Sequence, residues 1–428
     1  TCFCTPLFAA RTVGRFTVGG YLATEKFAEA DQFVGSRNDV QTASVRSFLK
    51  VTELADRDDS LIVDLRDKHD FFDKVDKEQL LLSDSNQFQA RQLSYGNDGN
   101  GFGYRIGRFP LYDAGAVNVD GVSAQYKTDR WNAFAFGGLN PLEYGKPYLV
   151  FRPNAQILGA GFSLVPDDLG SRARYSSSTA VVQESFSGEV DRQFIYQRFD
   201  WHFRPGQLLY SNFYIDTVPK TQLQNGLFYI DSMWTPRVRT KFAATVIDTV
   251  QYVRRQDVRE LLPTSTYNEA RGEVKYLSEA GNDYSFEVLS GSRGFDGKNR
   301  TLAEFSSRWA QIGERNNWDL VASLRAGKNF ESQDIGARVG VGFFSRRWEF
   351  TADQSYAVET YSDKSYHPLI TTISAGRFFS RELLGTASFE RIADERVEIL
   401  AFFFRLTYRY GTKGLAPVRD GSPPRGSL

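Results

Sequence analysis

Cysteine is almost absent. Cys2 and Cys4 are the only two, and none follows position 4. That excludes a disulfide framework and a thiolate metal site in the body of the chain. Histidine occurs three times, at His69, His202 and His367, and Met233 is the single methionine. Three scattered imidazoles without thiolates do not make a zinc site, so neither a metal nor a cofactor is expected. No apolar run approaches the roughly 18 residues of a membrane-spanning helix. There is no charge excess either: Lys plus Arg is 52 and Asp plus Glu is 52. A nucleic-acid partner, which would want a basic chain, is therefore not expected. Helical periodicity is scarce, and only residues 73–83 read as a short helix.

Catalytic signals are equally thin. A serine hydrolase needs a histidine near a serine and an acid, and none of the three histidine neighbourhoods supplies that set. His69 with Asp67 and Asp70 would make a proton relay, but a loop histidine among solvated charges is the simpler reading. Residues 97–100 and 296–299 look like calcium-loop fragments, yet lack the repeated acids and the closing glutamate. They read as turns. No enzymatic activity is expected.

What the chain has is aromatic residues, 14%, with 35 Phe and 21 Tyr, and alternation at period two. Residues 398–410 are the clearest case. One face is Leu400, Phe402, Phe404, Leu406, Tyr408 and Tyr410; the other, ending polar, is Ile399, Ala401, Phe403, Arg405, Thr407 and Arg409. A strand between lipid and a watery lumen has this form, with aromatics at the interface. Similar runs recur from Gly14 onward. Leu61, Val63 and Leu65 oppose Asp64, Arg66 and Lys68. Ala270, Gly272, Val274 and Tyr276 oppose Glu269, Arg271, Glu273 and Lys275. Connectors tend to alternate short and long, as an up-and-down barrel with turns on one rim and loops on the other requires. Those around Ser185 and Asp394 break the rule by being short. Counting runs gives about 22 strands, within a range of about 18–22.

The sequence resembles Gram-negative outer-membrane β-barrels of the broad porin-like class. Three features carry this. The last strand ends in alternating aromatics, Phe404, Tyr408 and Tyr410, similar to the terminal signal read by the barrel-insertion machinery. Gly107-Arg108-Phe109, then Asp120-Gly121-Val122 and Tyr126, is similar to a porin strand end and strand start. The span 11–410 is strand and turn throughout. The resemblance implies an all-β fold, a single transmembrane antiparallel barrel in the bacterial outer membrane with both termini periplasmic. It implies lipid, lipopolysaccharide and the insertion machinery as partners. The departure is the end: porins finish on the aromatic, whereas here 411–428, rich in Pro, Gly and Ser, continues as a flexible tail. Residues 1–10 read as a signal-peptide remnant cut near Ala9 or Ala10, or as an apolar arm.

A charge on the lipid face at mid-bilayer costs about 2–4 kcal/mol. The charged positions Arg46, Arg66, Arg105, Arg237, Arg239, Lys241, Glu269, Arg271, Glu273, Lys275, Glu349 and Asp353 are therefore expected to point into the lumen. Known barrels of this size are plugged, but strand pattern begins by Gly14, leaving no N-terminal plug. The lumen is then open, filled by another chain, or flattened. The expected function is a passive or gated channel for small hydrophilic solutes, with Arg and Lys facing Asp and Glu across a constriction. The alternatives are an envelope scaffold that anchors or surrounds a partner protein, in the lumen or at the tail, and a soluble β-propeller or sandwich.

Overall fold

Alternating sequence with Gly, Pro, Asn and Asp at its breaks has one stable outcome, strands joined by turns. The computed structural model describes residues 11–31, 35–54, 59–71, 86–141, 150–164, 174–218, 220–248, 266–294, 296–313, 317–362 and 364–411. The helix expected at 73–83, the segment 1–10 and the tail beyond 411 lie outside these residues.

The strands run in order. The first are β1 Arg11–Asp31, β2 Gly35–Leu54, β3 Asp59–Asp70, β4 Asn86–Asn97, β5 Gly101–Leu111 and β6 Val117–Lys127. Next come β7 Trp131–Leu139, β8 Ala155–Leu164, β9 Arg174–Phe186, β10 Glu189–Arg204, β11 Gln207–Val218 and β12 Gln222–Thr235. Then follow β13 Val238–Asp248, β14 Thr266–Leu277, β15 Asp283–Arg293, β16 Asn299–Ile312, β17 Trp318–Asn329 and β18 Ser332–Phe344. The last are β19 Trp348–Thr360, the two-residue β20 Ser365–Tyr366, β21 Leu369–Phe378, β22 Leu383–Ala393 and β23 Val397–Gly411. Setting aside β20, which only extends a connector, the wall has 22 antiparallel strands.

The sheet closes because β1 pairs on both sides. It pairs with β2 from Arg11↔Thr52, and with β23 from Val13↔Gly411 to Phe27↔Val397. The aromatic end of β23 docks on glycines here: Phe404 lies opposite Gly20, and Tyr410 opposite Gly14. A Cβ on Gly20 would come within 2.4 Å of the Phe404 ring, so only glycine admits that approach. With strands about 4.8 Å apart and tilted about 40°, a circular 22-strand wall is about 44 Å across, backbone to backbone.

Both β1 and β23 meet one rim, and the tight turns 98–100, 128–130, 205–206, 236–237 and 345–347 lie there with them. The other rim carries connectors 71–85, 140–154 and 249–265. The alternation read from sequence is thus the alternation of rims. The long-loop rim also carries short turns: the two expected ones, at Ser187–Gly188 and at 394–396, and a third at 330–331. Ser187 and Gly188 both have positive φ, 51 and 85, as a tight hairpin requires. Two further connectors on that rim are short as well. Residues 25–39 are mostly strand, because β1 and β2 keep pairing to Asp31↔Gly35, and 218–225 contracts to a three-residue link.

Candidate functional site: the inner face of the barrel

Cross-strand partners share a face, so the register assigns every strand residue to one of two faces. One face carries large exposed apolar side chains on nearly every strand, including Phe16, Leu22, Ile106, Phe162, Phe286, Leu324, Phe350 and Phe402. The other carries the charges. The connector between β5 and β6 identifies the charged face as the inner one. It holds a short 3-10 turn, Tyr112–Ala114. It reaches β9 and β11 by cutting across the concave side. Ser178 Oγ donates to Asp113 O at 2.7 Å and Tyr214 Oη to Gly115 O at 2.9 Å.

Around that connector the inner face carries an apolar cluster. Phe109, Val119, Phe134, Phe136, Ile157, Val182 and Phe194 form one buried cluster, with Ala114 of the turn inside it. The Phe134 ring lies over Gly161, where a Cβ would come within 2.4 Å. Burial pushes the Asp113 carboxyl up from its ordinary range, against the opposing effects of Arg198 and a Ser163 hydrogen bond. This sector was not expected from sequence. Its signal is present in β7, where Asn132, Phe134 and Phe136 share the inner face and the outer face has only Ala133, Ala135 and Gly137 behind Trp131.

From β12 to β19 the inner face is a set of ion pairs between neighbouring strands. Lys241 sits opposite Glu273 and meets it at 2.6 Å. Arg271 meets Glu287 at 2.9 Å, Lys275 meets Asp283 at 3.1 Å, and Arg338 meets Asp353 at 2.7 Å. Arg325 meets Asp334 at 3.2 Å, and Arg300 lies 3.8 Å from Glu269. Arg239 and Arg308 bind Asp231 and Asp319. Two pairs are diagonal beside a glycine: Asp353 stands opposite Gly340, two residues along from Arg338, and Asp334 stands opposite Gly327, two residues along from Arg325. Long side chains span that diagonal easily.

Of the twelve charged positions read from sequence, eleven lie on this face. Arg105 binds Asp98 of the neighbouring turn, and Arg46 grips Asp64 with both ends, at 2.9 and 2.6 Å. Glu349 lines a 220 Å³ hollow with Phe344, Thr351, Ser374 and Phe403. Arg237 is the exception. The Thr235 hydroxyl accepts its backbone N–H at 3.2 Å, which holds it in the rim turn, where it binds Glu279 at 2.7 Å. The acids and bases do not face each other across the lumen. They neutralise on the same wall, because a neighbouring strand is about 5 Å away and the far wall several times that. Phe404, Tyr408 and Tyr410 are on the outer face of β23.

The relay read at His69 is not assembled. His69 meets Asp67 at 3.0 Å, while Asp70 is on the opposite face, bound to Thr42 and Lys68. Asp296 is held by Arg293 at 2.6 Å and accepts the Lys298 N–H at 3.2 Å, which closes a turn.

No family profile and no curated protein matches the chain. The fold is similar to that of the P pilus usher (PapC) translocation pore, with a TM-score of 0.52 at 7% identity, over 92% of this chain and 99% of that one. Acinetobacter baumannii OccAB4 aligns at TM-score 0.46 and 11% identity, over 94% and 98%. Pseudomonas aeruginosa OccK5 (OpdH) aligns at 0.45 and 8%, over the same shares. The usher comparison concerns the fold, a closed β-barrel.

Proposed function

We propose that the chain is an outer-membrane channel for small hydrophilic solutes, inserted with its apolar face in lipid and its charged face around water. One observation carries this: closure of 22 strands with apolar residues on one face and charge on the other. In water the apolar face would be a large continuous exposed patch, which soluble monomers avoid. In lipid it is the required solvent contact. The PapC barrel is a translocation pore, and a pore is what the faces of this chain support. The inward connector 112–116 narrows the path beside the apolar sector, and the paired charges keep the remaining wall wet. The reading assigns no catalysis. The short-turn rim, with both strand termini, is periplasmic, and Phe404, Tyr408 and Tyr410 serve the insertion machinery.

Electrophoresis with and without boiling tests insertion: a folded barrel resists detergent and shifts on heating. Conductance steps in planar bilayers then test the path. A heat shift without conductance contradicts the channel and favours a barrel that encloses a partner. A protein soluble without detergent contradicts the membrane reading entirely.

A further inference from the structure

The inner face differs where the barrel closes. Across β23, β1, β2 and β3 the register places Arg409, Arg15, Phe48 and Asp64 in one row, and Thr407, Thr17, Arg46 and Arg66 in the next. The row above is Arg405, Gly19, Ser44 and Lys68; the row below is Gly411, Val13, Lys50 and Ile62. Sixteen positions, about 14 Å by 20 Å of wall, hold seven cations and one acid. Asp64 is taken by Arg46, and Lys68 is bound to Asp70 at 2.8 Å. Arg15, Lys50, Arg66, Arg405 and Arg409 have no acidic partner among the described residues. Arg405 lies over the Phe403 ring, 6.0 Å away. On the flanks, Gln87, Gln89 and Gln92 border it on β4 and Leu384 and Thr386 on β22; the one acid at this height is Glu382, whose backbone oxygen accepts the Arg409 N–H and whose carboxylate turns to the Ser380 hydroxyl at 2.8 Å. Glu25 and Glu390 lie further along, beside Tyr21.

Like charges directly opposite one another are destabilising, and here Arg15 faces Arg409 and Arg46 faces Arg66. Every cation of the β12–β19 sector that is named above has an acid within reach. We propose that the seam is an anion-binding subsite, taking compact oxyanions with two or more charges, carboxylate or phosphate. This rests on the channel reading, and names the solute class such a channel selects. Planar guanidinium forks fit carboxylate and phosphate oxygens two at a time, and a bound anion removes the mutual repulsion.

The test is titration calorimetry of the full chain in detergent with inorganic phosphate and, separately, malonate, using chloride as control. Arg15→Gln/Arg405→Gln/Arg409→Gln should bind at least about tenfold more weakly, and the corresponding lysine variant should recover part of the loss. Heat-shifted mobility confirms that each variant is folded. Phosphate binding alone, or malonate binding alone, decides the source of the charge. No binding of either, or binding unchanged in the glutamine variant, overturns the subsite. Because the readout needs no current, a chain that binds but does not conduct contradicts the channel and keeps the subsite. A chain that conducts without binding does the reverse.

Discussion

The wall from β12 to β19 and the wall from β23 to β3 use the same strand geometry and the same arginines and lysines on the inner face. They differ in where the acids stand. In the first, Glu273 lies opposite Lys241, and Asp353 lies one diagonal step from Arg338. In the second, Arg409 lies opposite Arg15. Alternation decides which way a side chain points. Register decides whether its charge is neutralised. A chain with no net charge can therefore present one neutral wall and one cationic wall. A third sector, at β5–β11, gives part of its inner face to a buried apolar cluster, with Ala114 of the connector 112–116 packed inside it.

The largest expected effect comes from that third sector, which depends on burial and not on charge. Phe194→Ala empties a fully buried site and should lower stability by about 3–5 kcal/mol, measured by urea unfolding in lipid vesicles. An effect as small as that of a surface change would mean that the cluster is not packed. Next, Asp231→Asn/Asp319→Asn/Asp353→Asn leaves Arg239, Arg308 and Arg338 without their acids, as the seam cations are. It should cost about 1–3 kcal/mol in total, since the arginine of each pair stays part-exposed to water. It should also move the reversal potential in a salt gradient toward anions. An unchanged reversal potential would show that these pairs do not border the conducting path.

Thr17→Glu does the opposite. It sets an acid opposite Arg46 and beside Arg15, and should stabilise the seam by up to about 1 kcal/mol while weakening anion preference. A loss of stability there would mean that the seam cations are not repelling one another. The smallest effect concerns pH. Burial raises the Asp113 carboxyl, so its charged form is disfavoured in the folded state, and the folded state gains as pH falls through that raised value. Acidification into the carboxylate range should therefore leave the connector 112–116 in place. Increased protease cutting at this connector on acidification would contradict that sign.

Much of this was legible in sequence. The outward faces of β17 and β18, Trp318, Leu320, Leu324 and Ile335, Val339, follow from alternation alone, and counting runs between connectors puts the strand number at about 18–22. The short turns are visible because their residue types are restricted. What alternation does not carry is register. Arg338 with Asp353, or Arg15 with Arg409, are meetings between strands, set by which residue of one strand stands beside which of the next. Hence charges expected to face one another across the lumen are instead paired on one wall or left unpaired at the seam. The inward connector was missed for a related reason. Residues 110–118 have loop composition, and only the anchors Ser178 and Tyr214, far along the chain, show where that loop goes.

The central claim is that the two faces of the closed sheet meet different solvents. With Cys2 and Cys4 replaced by serine, single cysteines can be placed along β21 and β15 and tested with a water-soluble thiol reagent in vesicles. Ser374→Cys and Ser285→Cys, on the inner face, should react, and Ala375→Cys and Phe286→Cys, one residue further on, should not. Equal reaction at both members of each pair would contradict the account.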